Sequence, residues 1–106
     1  MSDPAGIPPV KGERPPATVT RVLDICNKRG LHARASAKFV MMVEQYDAEV
    51  WVTRGHERVG GTSIMGLMML AAGPGTSITV EASGPQAAEV VDALATLVSS
   101  RFAEGE

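Results

Sequence analysis

A histidine and an arginine stand two residues apart at the start of a predicted helix. His32 follows a polar loop at residues 27–30, and Arg34 lies in the first turn of the apolar helix that comes next. That turn has backbone N–H groups without an acceptor in the helix and carries the positive end of the helix dipole, so it attracts anions. A histidine there could carry a phosphoryl group, with the N–H groups of Ala33, Arg34 and Ala35 and the guanidinium neutralising its oxygens. The simpler alternative is that His32 only caps the helix.

The composition restricts the chain to a small domain with an aliphatic core. Of its 106 residues, 44% are hydrophobic and only 4% aromatic, and the formal net charge is −2. A nucleic-acid-binding protein usually carries a basic face, and RNA-binding sheets use aromatic residues, so both features disfavour that class. We therefore expect no nucleic-acid partner.

The chain has few cysteines and histidines, which disfavours a metal site and is consistent with a reducing compartment. The single Cys26 cannot form an internal disulfide or a cysteine-based metal cluster, and it fits a reducing compartment. His32 and His56 lie in unrelated elements, so we expect no metal site and no cofactor. No apolar stretch is long enough to span a membrane and no secretory signal is evident. The expectation is a cytoplasmic protein without membrane insertion, and a monomer.

The chain divides into a short extension and one folded domain. Residues 1–17 hold five of the seven prolines and few large apolar residues, which predicts a flexible extension, more simply an inert tail than a tether. From residue 18 to residue 106 we expect one domain. Hydrophobic periodicity and turn residues predict strands at 18–26, 49–53, 58–60 and 76–82, and helices at 33–46, from 64 to the stop at 73–75, and at 86–102.

This order of elements predicts an α+β fold. It is an open-faced two-layer sandwich, βαββαβα, in which three helices cover one face of a four-stranded antiparallel sheet. A hairpin turn at residues 54–57 makes His56 a surface residue. Trp51 should face outward, Cys26 should be a small buried or edge residue, and Ser36 and Lys38 should be solvated. The predicted core residues are Leu23, Ile25, Phe39, Val40, Val43, Tyr46, Val50, Val52, Ile78, Val80, Ala82, Val90, Val91, Leu94, Leu97 and Val98.

The short second helix is apolar nearly all round. Ser63 or Thr62 is a good N-cap for it, and a short surface helix can bury only one face. We expect Ile64, Leu67 and Leu70 to face inward, which leaves an exposed, adaptable surface suited to partner proteins. The residues left over are Met65, Met68 and Met69. The alternative is that all of them belong to the core.

Two of these motifs together resemble one known family. Residues 30–34, Gly-Leu-His-Ala-Arg, are similar to the active-site motif of HPr, the histidine phosphocarrier family of the bacterial phosphotransferase system. Residues 63–68, Ser-Ile-Met-Gly-Leu-Met, are similar to its regulatory-serine motif, and Ala82-Ser83-Gly84 resembles the end of its fourth strand. The resemblance covers residues 18–102.

The resemblance implies a phosphoryl relay. His32 would accept a phosphoryl group on Nδ1 from phospho-enzyme I, the phosphoenolpyruvate-protein phosphotransferase, and pass it to a histidine of a IIA-type protein. The chain would then be a carrier rather than a free-standing catalyst. Ser63 would be a regulatory site for an HPr kinase/phosphorylase. We expect the partner surface to comprise Ala37, Met41, Ile64, Met65, Met68 and Met69.

Two positions depart from the family's pattern. Ala35 stands where proline is usual, which adds a backbone N–H and leaves the turn less constrained, and Thr62 stands where lysine is common before the regulatory serine. The methionines near Ser63 are consistent with partners outside sugar transport, such as a nitrogen-related branch. A second hypothesis keeps the fold but makes the chain a regulatory binding module that acts through Ser63, with His32 as a cap.

Overall fold

Four strands form one antiparallel sheet in the computed structural model, which describes residues 18–103. In chain order the elements are β1 (Val19–Asp24), α1 (Ala33–Val43), β2 (Glu49–Arg54), β3 (Glu57–Gly60), α2 (Ile64–Met69), β4 (Ser77–Ser83), α3 (Ala87–Ser99) and a final turn at Arg101–Ala103. The predicted α+β sandwich is confirmed. Most predicted bounds lie within two residues of these, but α1 and α2 each end three residues earlier than predicted.

The strands lie in the order β1-β4-β2-β3, so the first strand and the hairpin strand β3 form the two edges. The last strand β4 therefore lies between β1 and β2. Leu23 pairs with Ile78 across β1 and β4, and Val52 pairs with Val80 across β2 and β4. The Gly55-His56 loop joins β2 to β3, since Arg54 pairs with Glu57. His56 is exposed in this turn, as predicted.

The core lies between the sheet and the helices. Alternate residues of β2 and β4 point inward, because side chains along a strand alternate between the two faces. Trp51 faces the open side of the sheet, where the Arg58 guanidinium carbon lies 4.8 Å from its ring centroid. Cys26 is exposed beyond the end of the edge strand β1, which agrees with the edge alternative. Fully buried members of the core include Ile25, Phe39, Val52, Leu67, Ile78, Val80, Val90, Val91, Leu94 and Phe102.

Two polar residues of α1 are not solvated as predicted. Ser36 is fully buried, and its hydroxyl donates to the Leu31 carbonyl at 3.3 Å. Lys38 is half-buried, and its ammonium donates to the Phe102 carbonyl at 2.8 Å. Both acceptors are backbone carbonyls outside α1, and periodicity within one helix carries no information about them.

The predicted C-terminal helix is three residues too long. α3 ends at Ser99, and Arg101, Phe102 and Ala103 all have positive φ angles between 56° and 58°. This left-handed turn reverses the chain and places the Phe102 side chain in the core, where it is fully buried. Burial of a whole aromatic side chain offsets the cost of left-handed backbone.

Some predictions concern residues that are not described. The flexible extension predicted for residues 1–17 lies outside the described part, as do residues 104–106 at the end of the predicted domain. Across residues 18–103, no helix has the length and apolar character needed to cross a membrane.

Candidate functional site

The loop before α1 is tied to the segment that follows α2. Asn27 is fully buried and its side-chain amide donates to the Gly30 carbonyl at 2.9 Å. The Leu31 N–H donates to the Ala72 carbonyl, also at 2.9 Å. Gly30 has φ +63°, and a Cβ there would overlap the Ala72 carbonyl oxygen. Only glycine allows this approach, so the loop that leads to His32 is fixed on both sides.

His32 is the N-cap of α1. Its backbone is extended, with φ −77° and ψ −178°, and its Nδ1 accepts the backbone N–H of Arg34 at 3.3 Å. A ring nitrogen that accepts a hydrogen bond holds its lone pair, so the proton of the neutral ring belongs on Nε2. Nε2 is buried. This hydrogen bond therefore leaves a lone pair of His32 on Nδ1, at the positive end of the helix.

The first turn of α1 combines a cationic side chain and backbone N–H groups with the absence of acidic residues. It contains no acidic residue, and Arg34 is exposed beside His32. The Ser36 N–H donates to the His32 carbonyl at 2.9 Å, which begins the helical ladder. The N–H groups of Ala33 and Ala35 precede this bond and have no carbonyl acceptor within the helix. The predicted set of anion-binding groups is thus brought together at one helix end.

Ser63 is the N-cap of α2. Its hydroxyl oxygen accepts the Gly66 N–H at 2.9 Å, which is the standard cap interaction. The residue is exposed. A Cβ on Gly66 would lie 2.9 Å from the Val59 Cβ, so glycine lets α2 lie close against β3.

The outward face of α2 is an apolar surface. Met65 and Met69 are each 72% exposed, and Met68 is 41% exposed. Leu67 and Leu70 are buried as predicted, but Ile64 is 41% exposed rather than inward, because it lies in the first turn of α2 beside its exposed cap. We call Ile64, Met65, Met68 and Met69 the methionine patch. The alternative in which every apolar residue of α2 belongs to the core is wrong.

Helix α1 packs beside α2 and adds two residues of the predicted partner surface. Met41 is exposed, whereas Ala37 is half-buried. The residues predicted to bind partners therefore lie on two adjacent helices, and α1 also carries His32 at its N-terminus.

Comparison with known proteins identifies the family. The family model described as "PTS HPr component phosphorylation site" matches residues 19–100. The chain belongs to the HPr family. The HPr of Neisseria meningitidis serogroup B is 54% identical over 84 residues, which cover 79% of this chain and 94% of that protein. The phosphocarrier protein NPr of Shewanella violacea is 39% identical over 84 residues, covering 79% of this chain and 92% of its own length.

Solved structures agree with this assignment. An HPr from Thermoanaerobacter tengcongensis superposes with a TM-score of 0.77 at 35% identity, covering 81% of this chain and 97% of that one. The HPr of Bacillus anthracis gives a TM-score of 0.74 at 36% identity, with 77% and 98% covered. The predicted resemblance to HPr is confirmed, and the chain is a member of a phosphocarrier family.

The positions at which this HPr-family chain departs from the expected motifs fit the structure. Ala35 is fully buried in the first turn of α1 and leaves its backbone N–H in place, where the family's proline would have none. Thr62 is exposed immediately before the α2 cap. Neither substitution disturbs the cap geometry of His32 or Ser63.

Three contacts around the candidate site and the segment joined to it were missed by sequence reasoning. The turn at residues 27–30 was recognised, but the buried anchoring of Asn27 was not. The contact of Gly30 and Leu31 with Ala72 joins segments about forty residues apart, and no local pattern reveals it. The Arg54 side chain, which donates to the Leu70 carbonyl at 3.0 Å, was likewise interpreted only as a turn residue. Gly30, two residues before the histidine, was the one signal that could have indicated a close backbone approach.

Proposed function

We propose that this chain is a phosphocarrier of a bacterial phosphotransferase system that works through His32. In this proposal His32 accepts a phosphoryl group on Nδ1 from phospho-enzyme I and passes it to a histidine of a IIA-type protein. The observation that supports it is the hydrogen bond from the Arg34 N–H to Nδ1. With that bond in place the lone pair of the neutral ring is on Nδ1, and Nδ1 lies at the positive end of α1. Membership of the HPr family supports the same assignment.

The transfer step exchanges one nitrogen–phosphorus bond for another. The Nδ1 lone pair of His32 attacks the phosphorus of the donor imidazole, and the donor nitrogen keeps the electron pair of the bond that breaks. Such a transfer needs positioning and neutralisation of the phosphoryl oxygens more than proton transfer. The Arg34 guanidinium supplies a positive charge for this neutralisation. Fixed N–H dipoles add to it, from the backbone of Ala33, Arg34 and Ala35. The step needs no cofactor, and the chain acts as a carrier rather than as a free-standing catalyst.

We further propose that partners dock on the surface formed by Ala37, Met41 and the methionine patch. This surface lies on the helix that carries His32 and on the helix beside it, so a partner seated there would reach the histidine. Methionine side chains are flexible and polarizable, which suits a surface that must fit two successive partners. The working form would be a cytoplasmic monomer, with residues 18–106 as the carrier domain.

Ser63 is proposed as the regulatory phosphorylation site for an HPr kinase/phosphorylase. Its exposed hydroxyl at the start of α2 can take a phosphate without loss of the fold, because a helix N-terminus tolerates negative charge. The same phosphate would place about two negative charges beside the methionine patch. Docking of an apolar or acidic partner would then weaken.

The test of the relay is the intact mass after incubation with enzyme I and phosphoenolpyruvate. The wild-type chain is expected to gain one acid-labile phosphate, and the His32→Ala variant none. His56→Ala is the matched control, because His56 is the second of two histidines and lies in the exposed hairpin turn. Loss of labelling in the His56 variant alone, or an acid-stable product, would contradict the proposal.

A second candidate function rests on the exposed Ser63 cap beside the methionine patch. In that case the chain is a regulatory binding module, and His32 serves only to cap α1. A wild-type chain that takes no phosphate from enzyme I, yet binds a partner in a Ser63-dependent manner, would favour this function over the relay.

A further inference from the structure

The Arg54 side chain connects the sheet to the end of α2. Arg54 is the last residue of β2 and is half-buried. Its Nη1 donates to the carbonyl of Leu70, the C-cap of α2, at 3.0 Å. A cation at this end of a helix is favoured both by the unpaired carbonyls and by the helix dipole. Arg54 therefore holds the C-terminus of α2 against the hairpin.

The segment that Arg54 holds leads directly to the loop before His32. After Leu70, Ala71 adopts a left-handed conformation with φ +53°, and Ala72 is buried. The Ala72 carbonyl then accepts the Leu31 N–H at 2.9 Å. Only Ala71 separates Leu70, whose carbonyl Arg54 binds, from Ala72, whose carbonyl binds the residue preceding His32.

This connection has little room to relax. The backbone of Gly30 approaches Ala72 so closely that a Cβ would overlap its carbonyl oxygen. Leu31 is buried, and its own carbonyl accepts the Ser36 hydroxyl at 3.3 Å. A shift of Ala72 must therefore move Leu31, and with it the cap residue of α1, because close-packed contacts transmit displacement.

We propose that Arg54 is a positioning residue for phosphoryl transfer at His32. It acts through the segment from Leu70 to Ala72 and through Leu31, and it touches no phosphoryl oxygen. The inference rests on the proposed function of His32. A displacement of about 1 Å in a reacting group can cost up to 100-fold in rate, so loss of the Arg54 hydrogen bond should lower the rate of transfer rather than the affinity for the donor.

The experiment compares Arg54→Ala, Arg54→Lys and Arg58→Ala with the wild type. Arg58 is the matched control, because it is an exposed cation on the same hairpin that contacts Trp51 on the other side of the sheet. Two quantities are measured: amide hydrogen exchange at Leu31 and at Val52, and the kcat and KM of phosphorylation by phospho-enzyme I.

For Arg54→Ala we expect exchange at Leu31 to rise roughly tenfold, since local opening becomes easier without a charge-assisted hydrogen bond. Exchange at Val52, in the centre of the sheet, should stay within about twofold of the wild type because the global fold is retained. The kcat should fall about tenfold, with KM changed by less than about twofold. Arg54→Lys should partly reverse both the rise in exchange at Leu31 and the fall in kcat. Arg58→Ala should leave both quantities unchanged.

Several results would overturn the inference. Unchanged exchange at Leu31, a parallel rise at Leu31 and Val52, or a change in KM alone would show that Arg54 does not position the loop. A wild-type chain that takes no phosphate would overturn the proposed function itself. A fully active wild type with an equally active Arg54→Ala variant would overturn only this inference.

Discussion

Nδ1 of His32 accepts the backbone N–H of Arg34 at 3.3 Å, so the nitrogen proposed to carry phosphate is also the nitrogen that caps α1. Phosphorylation at Nδ1 would use the lone pair that the cap needs. The Arg34 N–H would then have to donate to a phosphoryl oxygen, which is a stronger, charge-assisted acceptor. Carrying phosphate and capping the helix are thus alternative uses of one atom.

This dual use predicts that capping and transfer can be separated by substitution. His32→Ala should lower the free energy of unfolding by about 0.5–2 kcal/mol, as is usual when a cap side chain is lost. His32→Asn should keep most of the stability, because asparagine is a good N-cap, yet it should take no acid-labile phosphate. Urea denaturation and intact mass check the two parts. An Ala variant as stable as the wild type would show that His32 contributes nothing as a cap.

Arg34→Ala should slow phosphoryl transfer by about 10- to 1000-fold, the range seen when one stabilising donor is removed. Stability should change little, because Arg34 is exposed. The control is Arg21→Ala, which removes an exposed ion pair with Asp92 at the distant strand β1. Single-turnover rates with enzyme I and with the acceptor measure the effect. Rates equal to those of the wild type with both partners would show that Arg34 does not contribute to phosphoryl transfer.

Gly30 and Gly55 form a matched pair that isolates the close approach to Ala72. Both have φ near +60°, but a Cβ at Gly55 would meet nothing within 4 Å, whereas one at Gly30 would overlap the Ala72 carbonyl. Gly55→Ala should cost about 1–2 kcal/mol of unfolding free energy from left-handed backbone alone. Gly30→Ala should cost more and should also slow transfer at His32. Similar losses of unfolding free energy in both variants would show that the loop before His32 can adjust to a Cβ at position 30.

Ser63→Asp should leave the chain folded but weaken productive coupling to enzyme I. Aspartate is itself a good N-cap, so thermal denaturation should show at most a small change in stability. The added negative charge lies beside the methionine patch and should raise KM more than it lowers kcat. Thr20→Asp, at an exposed position of β1, controls for net charge. Kinetics identical to the wild type would argue against Ser63 as a switch.

A charge placed within the methionine patch should weaken partner binding directly. Met65→Glu and Met69→Glu are expected to weaken enzyme I binding about tenfold or more, because a charge would be buried in an apolar interface. Val22→Glu is the control, since Val22 is 61% exposed on the sheet, close to the 72% of the two methionines. Titration calorimetry gives the affinities. A loss shared equally by the Val22 variant would show a nonspecific charge effect.

Much of the fold follows from short-range patterns. Alternation in β2 and β4 and the spacing of Phe39, Val40 and Val43 depend only on the geometry of one strand or helix, so the sheet and the helices could be predicted. The loop-to-helix junctions at His32 and Ser63 could also be predicted, because caps have local signals. What each junction does chemically remains a proposal.

The errors arise where a side chain contacts a group outside its own strand or helix. Ser36 is polar, so its pattern indicated solvent, yet its hydroxyl reaches the carbonyl of Leu31 across the helix start. The end of α3 differs from the prediction because Phe102 is buried through a turn of three left-handed residues, which no helix propensity predicts. Arg54 and Leu70 are sixteen residues apart, and only the packed hairpin brings them together.

Trp51 is the single tryptophan of the chain, and it lies on the side of the sheet that no helix covers. Its indole emission should therefore follow the unfolding of the sheet, modulated by the overlying Arg58, and should remain constant while His32 is loaded or a partner settles on α1 and α2. The chain thus contains an intrinsic fluorophore that reports folding independently of His32 phosphorylation and of partner binding. Stability of every variant can be measured by fluorescence in the presence of enzyme I, provided the emission of the partner is subtracted.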